Sequence, residues 1–137
     1  MDPKLLEVEL TETILGLNLI TIIEKINHLK IRGIQVLIDD FTAGNSSVSL
    51  LSILPVDIIK FDKSILDRVD FNNKVATEVY KGLINIVKGF NFKIVAEGIE
   101  TNEQLEFLKK NGVDIGQGYI FSRPISDKDF IELLQEE

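Results

Sequence analysis

Apolar positions along this chain switch repeatedly between two spacings. Leu5-Leu6-Glu7-Val8-Glu9-Leu10 reads as a strand, after which Leu19, Ile22, Ile23, Ile26 and Leu29 recur at helical spacing. Gly33 stands where a helix C-terminal glycine belongs. Residues 34–38 predict a second strand ending in Asp39-Asp40, and a polar loop from Phe41 to Asn45 leads into a short helix over 46–53. Residues 57–61 predict a third strand, followed by a short segment over 63–69 and a long helix over about 72–88. Val75, Val79, Leu83, Ile86 and Val87 are the expected buried stripe of that helix. A fourth strand over 93–96, a helix over 102–110, a short fifth strand over 113–115 and a helix over 127–135, capped near Ser126, complete the pattern.

Alternation of strand and helix at this spacing implies parallel strands with helical crossovers. Gln35-Val36-Leu37-Ile38 is nearly apolar on both faces, as a buried parallel strand is. The fold class is therefore α/β, five β-α units, either in an open doubly wound sheet or in an incomplete TIM-type (β/α)8 barrel. Polar residues favour the barrel. Glu9, Asp39-Asp40, Lys60, Glu97 and Gln117 each fall at or just past the end of an expected strand. In a barrel all those ends open on one face, where barrel active sites form. An open sheet usually concentrates its ligand residues at one switch point. A complete barrel takes about 200 residues or more, so residues 1–137 are expected to be part of one.

Composition narrows the chemistry. Without cysteine, disulfides and thiolate metal sites are excluded, and any metal must be held by oxygen ligands or by the one histidine. A net charge of −7 argues against a nucleic-acid polymer as partner, yet it leaves room for a small phosphorylated ligand at a carboxylate-held cation. No apolar run reaches the roughly 18–20 residues that cross a bilayer, and the acidic start Met1-Asp-Pro-Lys is not that of a signal peptide. A cytoplasmic domain is the expectation.

Asp39-Asp40 is the strongest local signal. Adjacent carboxylates at a strand end repel, and a divalent cation removes the cost of burying them. The bland reading is one aspartate capping a turn and one solvated. Glu9, ending the neighbouring strand, weighs against that reading, and converging hard oxygens suit Mg or Mn. Bland readings also exist for Glu12 (a first-turn helix glutamate), Lys60 (an exposed strand-end lysine), Asp62 (a cap) and Glu100-Thr101 (a helix start). His28 reads as solvated surface, Phe107 and Phe130 as packing, and Arg123 as a contact to nucleotide or to rim carboxylates.

Six segments in order resemble one family. Glu9-Leu-Thr-Glu12, Asp39-Asp-Phe-Thr-Ala-Gly44 with Ser46-Ser47, Lys60-Phe-Asp62, Ala96-Glu-Gly-Ile-Glu100-Thr101, Gln117-Gly-Tyr119 and Phe121-Ser-Arg-Pro124 are similar in register to the motifs of the EAL phosphodiesterases. The resemblance runs from about Leu5 to the C-terminus. It implies two Mg or Mn ions and hydrolysis of cyclic di-GMP to linear pGpG. It further implies Glu9, Asp39 and Asp40 as metal ligands, Lys60 orienting the attacking water and offsetting charge, and Glu97 as general base. Gln117 is implied near the second metal's waters, and Glu12 as anchor of the loop after Asp40.

Three departures qualify the resemblance. The Glu-Ala-Leu motif and a later metal-binding asparagine are missing, both belonging to a stretch that would precede Met1. This chain alone is therefore expected to be inactive, and to self-associate or pair with the missing N-terminal part. Thr42 replaces a glycine and Asn45 a usual tyrosine in the loop after Asp40. One extra residue between Asp39 and Glu97 is expected to be absorbed harmlessly over 67–73. The alternative function is a non-catalytic cyclic-di-GMP receptor or interaction module of the same family.

Overall fold

The structure, a computed structural model, describes residues 2–11, 18–39, 41, 51–69, 71 and 73–135. A 3-10 turn at Pro3–Leu5 precedes β1 (Glu7–Leu10), α1 (Leu19–Ile31), β2 (Gln35–Ile38) and β3 (Ile58–Phe61). Next come α2 (Lys63–Leu66), α3 (Lys74–Gly89), β4 (Lys93–Ala96), α4 (Asn102–Lys110), β5 (Ile115–Gly116) and α5 (Asp127–Leu133). The helix expected at 46–53 lies, apart from residues 51–53, outside the described residues, as do Glu12, Asp40, Thr42 and Asn45.

Local chemistry sets the helix ends. Asn18, Asp62, Asn73, Thr101 and Ser126 each cap a helix by accepting a backbone N–H in its first turn, and Thr101 with Gln104 forms a reciprocal capping box. Asp62 and Thr101 thus have the capping roles that the bland readings allowed.

The sheet order is β1-β2-β3-β4-β5, and all four pairings are parallel. Sequential order decides between the two architectures. A doubly wound sheet reverses its strand order at a switch point; here no reversal occurs, and the crossovers keep the helices on one face, as in a (β/α)8 barrel. Period-two alternation then divides each strand. Val36, Ile38, Ile59, Phe61, Ile94 and Ala96 face the helices and join the main core with Ile22, Ile26, Tyr80, Ile84 and Leu108. Leu37, Ile58 and Val95 form a smaller buried cluster on the opposite face. One step further along that second face lie Asp39, Lys60 and Glu97.

Two packing expectations are corrected. Of the expected stripe of α3, Val87 is buried and Leu83 packs against the core, but Val75 is 72% exposed and Val79 and Ile86 are exposed too. Tyr80 and Ile84 complete the buried side. The reason is Tyr80, whose ring meets Phe61 and Phe107 edge-on, both with centroids 5.7 Å away. Turning that large ring inward carries Val75 and Val79 round to solvent. Phe107 packs as expected, whereas Phe130 is 52% exposed, because α5 buries none of its residues. No described helix is long and apolar enough to cross a membrane.

Candidate active site

Four of the residues singled out by sequence meet at one point. The Lys60 ammonium lies 2.8 Å from a Glu97 carboxylate oxygen, 3.2 Å from Asp39 and 3.2 Å from Glu9. These carboxylates come from β1 and from the residues directly after β2 and β4, so the C-terminal ends of four neighbouring strands converge. Lys60 itself is 9% exposed, which removes its reading as a solvated strand-end lysine.

Backbone bonds fix the rim. The Asp39 N–H donates to the Leu10 carbonyl (2.9 Å), that of Glu97 to Phe61 (3.1 Å) and that of Gln117 to Ala96 (2.9 Å). Each donor continues the parallel ladder one residue past a strand, so these side chains start from rigid backbone. Gln117 is exposed and shares a cavity of about 240 Å³ with Glu97, Lys63, Glu100 and Tyr119. A larger cavity of about 510 Å³ opens between the segment after β5 and α5. It is lined mainly by apolar groups; Gln117, Gly118 and Tyr119 form the wall common to both, and Lys60 lines neither. Of the two, only the smaller, charged cavity includes Glu97.

The electrostatics follow from the crowding. Burial alone would lower the Lys60 pKa, but hydrogen bonds to Glu97, Asp39 and Glu9 outweigh it and hold the ammonium well above the ordinary lysine range. Three carboxylates against one ammonium leave an excess of two formal negative charges. Such a rim attracts cations.

The donor atoms of the rim are of the type that Mg or Mn takes. Oxygens of Glu9 and Asp39 already converge on one positive charge at 3.2 Å each, and hard carboxylate oxygens are what these ions take. Among the described residues no three His, Asp or Glu side chains form a cation site by themselves. Asp40, next to Asp39, lies outside them.

Other assignments resolve individually. His28 is exposed, as expected. Arg123 stacks over the Tyr119 ring at 5.2 Å from its centroid and pairs with no rim carboxylate among the described residues. Sequence reading missed Lys63, whose ammonium pairs with Glu100. Thirty-seven residues separate the two, and no local signal links them.

The fold and rim together define a class: part of a TIM-type barrel with an acidic, lysine-bridged site at the C-terminal ends of its strands. Comparison with known proteins gives the family. The family profile described as EAL domain matches residues 1–124, and the chain belongs to the EAL-domain family. It is 38% identical over 120 residues to the cyclic di-GMP phosphodiesterase NbdA of Pseudomonas aeruginosa, a match covering 88% of this chain and 15% of NbdA. The crystal structure of the EAL domain of Mycobacterium smegmatis DcpA superposes with a TM-score of 0.86 at 32% identity, covering 95% of this chain and 58% of that one. The manganese and cyclic-di-GMP complex of Klebsiella pneumoniae BlrP1 superposes with a TM-score of 0.78 at 30% identity, covering 90% and 31% respectively. The chain thus spans a minor part of the length of the curated relatives it matches.

Proposed function

We propose that residues 1–137 are the C-terminal part of an EAL-type catalytic barrel that hydrolyses cyclic di-GMP to linear pGpG once its remaining strands are present. The observation that carries this reading is the convergence of Glu9, Asp39 and Glu97 on buried Lys60 at one rim of parallel strands. A relative named as a cyclic di-GMP phosphodiesterase and a neighbour that binds manganese with cyclic di-GMP support the choice of substrate and ion.

Glu9, Asp39 and Asp40 would hold two Mg or Mn ions. When bound, such ions supply positive charge to the phosphate and make bound water acidic near neutral pH. The chain's own residues do the rest. Glu97 accepts the proton of the water that attacks phosphorus, one P–O bond of the ring breaks, and the departing oxygen takes a proton from solvent. Lys60 fixes the Glu97 carboxylate through their 2.8 Å contact and offsets charge beside the phosphate. Gln117 positions water across the charged cavity, and Glu12 anchors the loop after Asp40. A cytoplasmic location goes with this reading.

The chain alone is proposed to be inactive, because among the described residues the five-stranded sheet pairs β1 and β5 on one side only and leaves the rim open. Joining it to the N-terminal part of an EAL domain and supplying Mn or Mg should give conversion of cyclic di-GMP to pGpG by chromatography. The reading expects none without metal and none from residues 1–137 alone. Tight binding of cyclic di-GMP without turnover in the joined protein would instead favour a receptor.

A further inference from the structure

We propose that Lys63 is a positioning residue for Glu97, clamping the turn that carries the general base between β4 and α4. The inference rests on the reading of Glu97 as that base. Gly98, directly after Glu97, has φ +71°, a conformation that side chains rarely adopt. A Cβ built on Gly98 would lie 2.6 Å from the Lys63 Cβ, so the Lys63 stem runs directly against the Gly98 backbone. Its ammonium then reaches past Ile99 to pair with Glu100. One side chain therefore spans the turn from the residue after the base to the start of α4.

The opposite side of the turn is closed as well. A Cβ built on Gly118 would lie 2.7 Å from the Ile99 carbonyl carbon, so these backbones touch. The Ile99 N–H donates to the Gln117 carbonyl (3.1 Å), and the Ile120 N–H donates to that of Ile99 (3.0 Å). Residues 97–100 are thus held between Lys63 on one side and the segment after β5 on the other. Lys60 and Lys63 divide the work from a single stretch of chain. Lys60 grips the Glu97 carboxylate, and Lys63 holds the backbone that aims it.

A general role in stability is the competing explanation, and magnitudes separate the two. The Lys63 and Glu100 side chains are each nearly half exposed, and exposed ion pairs add little to global stability. A clamp acts locally instead. In residues 1–137, Lys63→Ala is expected to speed amide hydrogen exchange at Ile99 and Ile120 by about tenfold, leaving the β3 amides unchanged. In the protein joined to an EAL N-terminal part, the same change should lower kcat about tenfold while KM stays within about twofold. Lys63→Arg, which keeps stem and charge, should restore both. Exchange that is unchanged, exchange that rises equally throughout the sheet, or an unaltered kcat would each overturn the proposal. Absence of turnover in the unsubstituted joined protein would defeat the reading of Glu97 as base, and exchange at Ile99 and Ile120 would still decide whether Lys63 holds the turn.

Discussion

Lys60 gathers charge from three directions, which gives its removal a definite consequence. Its pKa is raised because the hydrogen bonds to Glu97, Asp39 and Glu9 outweigh the effect of burial. A raised folded pKa means that the lysine's contribution is fully present below its unfolded value of about 10.4 and is lost as pH climbs through the folded one. Lys60→Met, measured by urea unfolding at pH 7, should therefore cost about 1–3 kcal/mol, since carboxylates are left facing one another. The gap from the parent should narrow only above about pH 10.4. Equal stability at pH 7 would contradict this. The four rim residues were legible in sequence because each is a charged side chain at or just past the end of an expected strand. Lys63 was not, since its partners Gly98 and Glu100 are brought to it only by the parallel pairing of β3 with β4.

The elements carry a device that the apolar pattern does not reveal. Asp57, before β3, accepts the Val36 N–H at 3.0 Å and pairs with Lys30 of α1 at 2.7 Å. Asp114, before β5, accepts the Ile94 N–H at 2.7 Å and pairs with Lys88 of α3 at 2.6 Å. The same three-part staple thus ties a helix end, a strand start and the approach to the next strand. It recurs in Val56-Asp57-Ile58 and Val113-Asp114-Ile115. Burial opposes ionisation of Asp114, yet its bonds to Lys88 and Ile94 hold its pKa below the ordinary range. That contribution is present above the unfolded value of about 3.9 and is lost as pH falls through the folded one. Asp114→Ala should cost about 1–2 kcal/mol at pH 7 in thermal or urea unfolding, with the difference vanishing in stronger acid. A difference that persists unchanged in acid would rule out the carboxylate as its source. Strand and helix positions were legible because period two and period 3.6 are distinct over short windows. The buried arc of α3 was legible only at Leu83 and Val87, because elsewhere on the helix valines and a tyrosine compete for the core and bulk decides.

At the scale of the molecule, the described strands form one run of a barrel-type parallel sheet with its helices on one face. Among the described residues β1 and β5 pair on one side only, and Tyr119, Phe121, Ile125, Phe130 and Leu133 stand exposed beyond β5. Unpaired parallel edges beside an apolar surface promote association. Light scattering on residues 1–137 should accordingly give a mass above the 15.4 kDa of one chain, and a monodisperse monomer at low concentration would contradict the expectation. Barrel topology was legible in the placement of polar residues at five strand ends, and the sequential strand order bears it out. How the rim closes depends on neighbours outside these strands.

The rim's catalytic role is tested most directly by substituting Glu97→Gln in the chain joined to an EAL N-terminal part, with manganese, while measuring kcat and the Kd for cyclic di-GMP together. The account predicts a fall in kcat of about a hundredfold or more, with Kd within about threefold of the parent's. Turnover retained at the parent's rate would contradict it.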